Sequence, residues 1–365
     1  MASRFSGSRW MSFVLAAALL VVFARSAVAQ LQITSADGKQ SFKLGILGQI
    51  DGESIENADA KDDTSNNLYL RRIRLLGSFK LSDQLSVFVD TDTPNLGKGN
   101  PDGTKNNADL FLQDVVVTYA FSKQFQLDGG LLLLAQSYNH TQSAATLMAI
   151  DYGPYTFNES TPTTSRTGRD YGVQARGYLL DDHLEYRAGV FQGLRGENDT
   201  NSFRYAGRLA YYILGPETSY FYRGTSLGQT QTLSIGASID EQKDYKSHDF
   251  DLYWDQPIAG GDGITLQVDY TTVDGDIFIP SLPKQTNTMA EIGYYFHNAK
   301  LMPYVQFARN DFDAVIHPDE KRTQGGLAYY FNGHNSNIKL AWTKIDKDGA
   351  NKRNQYLVQY QVYQF

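Results

Sequence analysis

The stretch Gly263-Ile-Thr-Leu-Gln-Val-Asp-Tyr-Thr271 splits into two sets of side chains. Ile264, Leu266, Val268 and Tyr270 fall on one parity, and Thr265, Gln267, Asp269 and Thr271 on the other. A period of two over this length marks a β-strand with one apolar and one polar face, because successive side chains leave the pleat on opposite sides. Residues 202–213 repeat the pattern. Phe203, Tyr205, Leu209, Tyr211 and Ile213 share a face with Gly207, while Arg204 and Arg208 lie opposite with Ala206, Ala210 and Tyr212.

Extending this reading along the chain gives strands near 41–51, 68–79, 85–92, 109–121, 125–135, 169–179, 183–192 and 202–213. A second set follows near 231–240, 247–256, 263–273, 287–297, 300–309, 322–331, 336–345 and 354–365. The even total of sixteen suits a closed antiparallel barrel. The connections alternate in length: 52–67, 93–108 and 136–168 are long, whereas 80–84, 122–124 and 180–182 are short. A soluble sandwich would have turns of similar length at both ends, so the asymmetry points to a membrane barrel with tight periplasmic turns and long extracellular loops. The expected fold is thus all-β, a transmembrane antiparallel β-barrel of about sixteen strands. Segment 214–230, with Tyr220, Phe221 and Tyr222, breaks the alternation as a long connection on the short side.

Composition agrees with this class. A mean hydropathy of −0.40 suits a barrel whose apolar residues come at every second position. Twenty-four Tyr and twenty Phe suit aromatic belts at the two membrane interfaces. The chain has no cysteine, which excludes disulfides, thiolate metal sites and a cysteine nucleophile. At the N-terminus, Arg4 and Arg9 precede an apolar run from Phe13 to Phe23, and Ala27-Val28-Ala29 supplies a small-x-small cleavage pattern. Residues 1–29 therefore read as a secretory signal peptide, too short in its apolar core to span a bilayer, with residues 30–365 as the barrel domain. Its removal takes three arginines and no acid, and lowers the formal charge from −7 to −10. The acidic balance argues against nucleic acid as a partner.

The chain stops on Phe365, in a terminal strand whose apolar set Tyr356, Val358, Tyr360 and Val362 has the other parity from Tyr363 and Phe365. A one-residue bulge near Tyr363 is the expected reconciliation. Several motifs together resemble the phosphate-selective porins O and P. They begin at Leu68-Tyr-Leu-Arg-Arg-Ile-Arg74 with Gly77 and Val87-Phe-Val-Asp90, then Gln113-Asp114-Val-Val-Val-Thr-Tyr119 and Asp170-Tyr-Gly172. Tyr186-Arg-Ala-Gly-Val-Phe-Gln-Gly193, Arg208-Leu-Ala, Leu233-Ser-Ile-Gly236 and Gly325-Gly-Leu-Ala-Tyr-Tyr-Phe331 follow, with Phe365 last. The resemblance implies a bacterial outer-membrane porin, a homotrimer of sixteen-stranded barrels whose third long loop folds inward to narrow the pore. Phosphate selectivity does not follow from it, because that loop, 136–168, contains Asp151, Glu159 and Arg166 and no lysine.

By parity the pore-lining candidates are Arg72, Arg74, Arg176, Arg187, Arg204 and Arg208, with Lys43 and Lys339, and the acids Asp90, Asp114, Glu185, Asp249, Asp251, Asp269 and Glu291. Two readings of the arginines stand side by side. They form a strip that favours anions, since the guanidinium charge persists at any working pH, or they are a charge-compensated lining paired with carboxylates such as Glu185 and Asp114. The first reading places Arg72, Arg74, Arg204 and Arg208, with Arg187, in a solvated lumen, where neutralising Arg204 and Arg208 together leaves folding intact. The acids Glu53, Asp62 and Asp63 of the first loop are screened by salt. In the third loop Ala144–Ile150 packs against the wall, with Asp151 or Glu159 at the constriction, unless the loop stays outside.

The expected function is a water-filled channel for passive diffusion of small hydrophilic solutes, anion-preferring on the first reading and needing no cofactor. The alternative is a barrel that sheathes a partner protein such as a multihaem cytochrome. An enzyme is disfavoured: the six histidines (140, 183, 248, 297, 317 and 334) fall in connections or at strand ends, with no metal spacing and no Ser–His pairing.

Overall fold

The computed structural model describes residues 31–57, 64–107 and 109–365. The expected signal peptide 1–29 lies outside the described residues, as do Asp62 and Asp63. A short strand β1 (Leu31–Thr34) precedes sixteen that close a ring. The first eight are β2 (Ser41–Glu56), β3 (Thr64–Lys80), β4 (Leu85–Asp92), β5 (Phe111–Ala120), β6 (Gln126–Leu133), β7 (Arg169–Leu179), β8 (Leu184–Phe191) and β9 (Arg204–Leu214). The second eight are β10 (Thr232–Gln242), β11 (Tyr245–Pro257), β12 (Gly263–Asp274), β13 (Gln285–Tyr295), β14 (Leu301–Phe312), β15 (Glu320–Asn332), β16 (Ser336–Lys347) and β17 (Arg353–Gln364).

Each strand pairs antiparallel with its neighbours in sequence, and β17 closes on β2 from Gln355↔Ile55 to Gln364↔Ile46. β1 takes up the same edge of β2 where β17 stops, from Leu31↔Leu44 to Thr34↔Ser41. Closure gives every ring strand a neighbour on both sides, in an environment where no water could satisfy an open edge. Side chains such as Leu209, Ile235, Phe250, Val305 and Leu340 point outward and are exposed, which is the lipid face that the period-two pattern anticipates. β2 and β3 run further than the sequence suggests. Glu53↔Asn67 and Ile55↔Ser65 extend the ladder through residues that lack apolar alternation.

The terminal strand needs no bulge. The β17 register against β2 and β16 is continuous, and Tyr363 and Phe365 simply turn inward, packing on Leu47, Leu76 and Phe88.

Two connections fill the interior. The third long loop, 134–168, enters the barrel and carries α1 (Tyr138–Thr141). Its segment 144–150 lies along the wall, where side chains capture its backbone. Gln49 and Gln361 donate to the Ala144 and Ala145 carbonyls, Lys339 Nζ donates to those of Leu147 and Ala149, and the Ile150 amide donates to Tyr304 Oη. A buried irregular loop must have its peptide groups satisfied, and the wall supplies the partners.

The periplasmic connection 215–231 accounts for the break in loop alternation: it also folds inward. It meets the third loop in a short parallel bridge, Gln142↔Tyr222, with the Ser143 amide donating to the Tyr222 carbonyl and the Thr225 amide to that of Thr146. Tyr138 stacks between Tyr222 and Tyr253, with ring centroids 4.8 and 3.9 Å apart. At Gly224 a Cβ would stand 2.0 Å from the Thr146 carbonyl oxygen, so only glycine allows this approach. Substitution Gly224→Val is therefore expected to part the two segments and leave the sixteen-stranded ring closed. Heat-modifiable migration of the folded barrel should persist while single-channel current becomes noisier; an unaltered current trace would contradict the latch.

Candidate functional site

Among the described residues the lumen contains an outer and an inner cavity. The outer one, about 390 Å³, is lined by Asp51, Glu53, Arg71, Arg72, Lys98, Asp151, Tyr152 and Arg322, with amides from β14, β15 and β17. The inner one, about 770 Å³, opens near the short turns and is lined by Ser78, Lys80, Phe88, Arg176, Tyr220, Phe221 and Phe365. They share no lining residue. Leu76 at the inner cavity and Tyr152 at the outer one belong to one packed cluster with Leu47, Ala144 and Ala145, and Arg74 is the ladder partner of Leu47. This partition is the constriction.

Its geometry begins with a bulge in β3. Gln49 pairs with Arg72 and Ile50 with Leu70, so Arg71 is an extra residue in the ladder. The extra residue turns two consecutive arginines toward one carboxylate. Arg71 Nε donates to Asp151 Oδ2 at 2.7 Å, and an Arg72 terminal nitrogen donates to Asp151 Oδ1 at 2.6 Å. Arg72 also donates to Gln49 Oε1 and lies 5.4 Å from the Tyr152 ring centroid. Burial by itself would raise the Asp151 pKa, but Arg71 and Arg72 outweigh it and hold the carboxyl well below the usual range. Asp151 is thus a fixed negative charge under two fixed positive ones.

Strict alternation misses Arg71, although the sequence carries a signal. The outward apolar residues run Leu68, Leu70, then Ile73 and Leu75, a parity change that requires one extra residue. The same change occurs on β5 between Leu112 and Val115, where the ladder shifts at Asp90/Thr91. It leaves Gln113 and Asp114 both buried, and Asp114 accepts from Arg169.

The remaining inward arginines are paired. Arg74 contacts Asp90 and Asp92, Arg176 contacts Asp128, and Arg187 donates to Glu185. Arg204 reaches Asp240 and Asp170, and Arg208 reaches Asp251 together with the Gln136 carbonyl. Glu185 also accepts from Tyr212 and Tyr222, and the Arg187 guanidinium lies over the Tyr220 and Tyr222 rings. The expectation of a solvated lumen at Arg204 and Arg208 is corrected: they are 0 % and 2 % exposed. Their inward parity is as expected, but Gln136 and Tyr222 of the inward segments cover Arg208, and Asp170, Asp240 and Tyr245 enclose Arg204. Among the expected pore-lining residues, Arg72 and Arg176 line a cavity and Arg74 lies at the partition; Arg187, Arg204, Arg208, Asp90, Asp114 and Glu185 are buried in charge pairs.

Of the three residues expected at the constriction loop, Asp151 is there. Glu159 is buried 3.6 Å from His140, and burial lowers the pKa of that imidazole. Arg166 sits over the Phe111 ring on an exposed stretch.

Arg208 is the sole ion-pair partner of Asp251 among the described residues, beside buried Asp249 and Asp269. Removing one member of a buried pair costs about 3–5 kcal/mol. Arg208→Met should therefore lower the temperature at which the folded barrel opens, contrary to the reading in which neutralisation leaves folding intact. An unshifted transition would refute this account of the pair.

Comparison with known proteins agrees with the geometry. The family model for phosphate-selective porin O and P matches residues 42–247, more than half of the chain. A search of curated protein sequences gives no match. Among solved structures, an anion-selective porin from Comamonas acidovorans superposes with a TM-score of 0.60 at 12 % identity, covering 89 % of this chain and 100 % of that one. OmpF of Salmonella typhi, in complex with daunomycin, gives 0.58 at 15 % identity over 91 % and 100 %. The trimer form of in-vitro folded OmpT from Vibrio cholerae gives 0.53 at 11 % identity over 88 % and 99 %. At these identities the likeness is one of fold.

Proposed function

The chain belongs to the phosphate-selective porin O and P family, and from that premise we propose a weakly anion-preferring channel whose selectivity is set at the Arg71–Arg72–Asp151 constriction. The protein is an outer-membrane porin, a channel for small hydrophilic solutes, and its family and fold are those of a channel rather than an enzyme. The observation that carries the anion preference is the pairing at the constriction, where Arg71 and Arg72 share the one carboxylate of Asp151, although the whole chain is acidic. A permeating ion responds to the charges that line its path, whose field the low-dielectric wall concentrates.

The arginines deeper in the wall contribute little to this preference, because each is neutralised by a carboxylate in contact with it. Phosphate specificity is not part of the proposal: the constriction loop brings no lysine to the lumen. A sheath around a partner protein fits poorly, since both inward segments occupy the space and neither cavity could hold a folded domain. The trimeric OmpT neighbour supports a homotrimer. Residues 1–29 act as a cleaved signal, and N-terminal sequencing of membrane-extracted protein that found residue 1 would count against this. The reversal potential of single channels in a KCl gradient should fall on the anion side by a modest margin; clear cation selectivity would overturn the proposal.

A further inference from the structure

The outer cavity contains two groups of opposite charge that the fold leaves incompletely used. Asp51 on β2 is 3 % exposed and lines the cavity, and its Oδ1 has no hydrogen-bond partner among the described residues. A buried carboxylate oxygen without a donor is costly and calls for a partner. Asp51 pairs across the ladder with Tyr69, two residues from Arg71. Arg71 lines the same cavity and gives its Nε to Asp151, and among the described residues its two terminal nitrogens have no hydrogen-bond acceptor. Arg72, by contrast, is engaged by both Asp151 and Gln49.

Across the cavity stands Gln324, whose Nε2 donates to Thr343 and whose buried Oε1 lacks a donor. Tyr69, Tyr152 and Leu357 add apolar surface. The volume of about 390 Å³ equals about a dozen waters at ~30 Å³ each, room enough for a small organic solute.

We propose that this cavity is a binding site for a small zwitterion, an amino acid or short peptide, whose ammonium group meets Asp51 and whose carboxylate meets the free end of Arg71. The assignment rests on the porin reading and deepens it. A simple anion would leave Asp51 unpaired and would face both Asp51 and Asp151. A simple cation would face Arg71, Arg72, Lys98 and Arg322 with no group for the guanidinium. A molecule carrying both charges satisfies both ends at once, and charge-assisted contacts of this kind are the stronger hydrogen bonds.

The test uses the purified protein in a planar bilayer and a matched series of probes added on the outer side: L-alanine, lactate (which lacks the ammonium), 1-amino-2-propanol (which lacks the carboxylate), and dialanine. Alanine or dialanine should reduce the KCl current at concentrations about tenfold lower than lactate or the amino alcohol, the ratio expected when one charged contact is lost. Which of the two acts at lower concentration identifies free amino acid or peptide as the better ligand. Asp51→Asn should bring the zwitterion down toward lactate, and Arg71→Gln toward the amino alcohol. Lactate or the amino alcohol matching the zwitterion, or full zwitterion block in both variants, would overturn the proposal. The series on the unmodified protein decides the matter if a variant fails to fold. Absence of any KCl current would contradict the porin reading itself, whereas a conducting channel indifferent to all zwitterions contradicts only this inference.

Discussion

Closure of the ladder between β17 and β2 is the constraint on which the other features depend. In hydrocarbon an unpaired peptide group has no water to turn to, so the sheet must meet itself. Once it does, one parity of every strand faces lipid and the other faces the lumen. The chain must then place its charged residues on the inner parity. There they come close together in a confined space, and the structure answers with contact pairs, from Arg74 with Asp90 and Asp92 through to Arg208 with Asp251. The pairing is what allows so many arginines to be buried under the inward segments.

Those segments divide the work. The third loop supplies Asp151 to the constriction, and its backbone is fixed to the wall by Gln49, Gln361, Lys339 and Tyr304. The connection 215–231 approaches from the periplasmic side and holds the same loop through Tyr222 and Gly224. The narrowest point is therefore supported from two directions. Arg71 at this point and Asp51 beside it line the outer cavity, where both face solute.

Much of this was legible in the sequence. The period-two pattern gave all sixteen ring strands, because lipid on one side and water or packed polar groups on the other impose it at every position in the membrane. The alternation of loop lengths gave the orientation of the turns, and the family resemblance pointed to the third long loop, 136–168, as the one that enters the lumen. What escaped was local. A bulge reverses parity with a single residue, so strict alternation leaves Arg71 out of the pore-lining set although the spacing from Leu70 to Ile73 records the change. The excess length of 214–230 announced an exception without its direction, because the inward course depends on Tyr222 and Gly224 fitting a loop about 80 residues earlier in the chain, a packing match that no local pattern encodes. The burial of Arg208 under Tyr222 follows from that same packing. Tyr363 and Phe365 turn inward because the register holds, which a bulge inferred from parity alone would have reversed.

Under the proposed function, paired charges in the wall are silent and selectivity belongs to the constriction. The reversal potential in a KCl gradient, compared between Asp151→Asn and the paired change Arg204→Gln with Asp240→Asn, tests it most directly. Asp151→Asn removes the one carboxylate beneath Arg71 and Arg72 and should shift the potential toward anions. The paired change removes one charge of each sign from a buried contact and should leave it where it was. A shift in the paired variant as large as that of Asp151→Asn, or no shift in Asp151→Asn, would contradict the account.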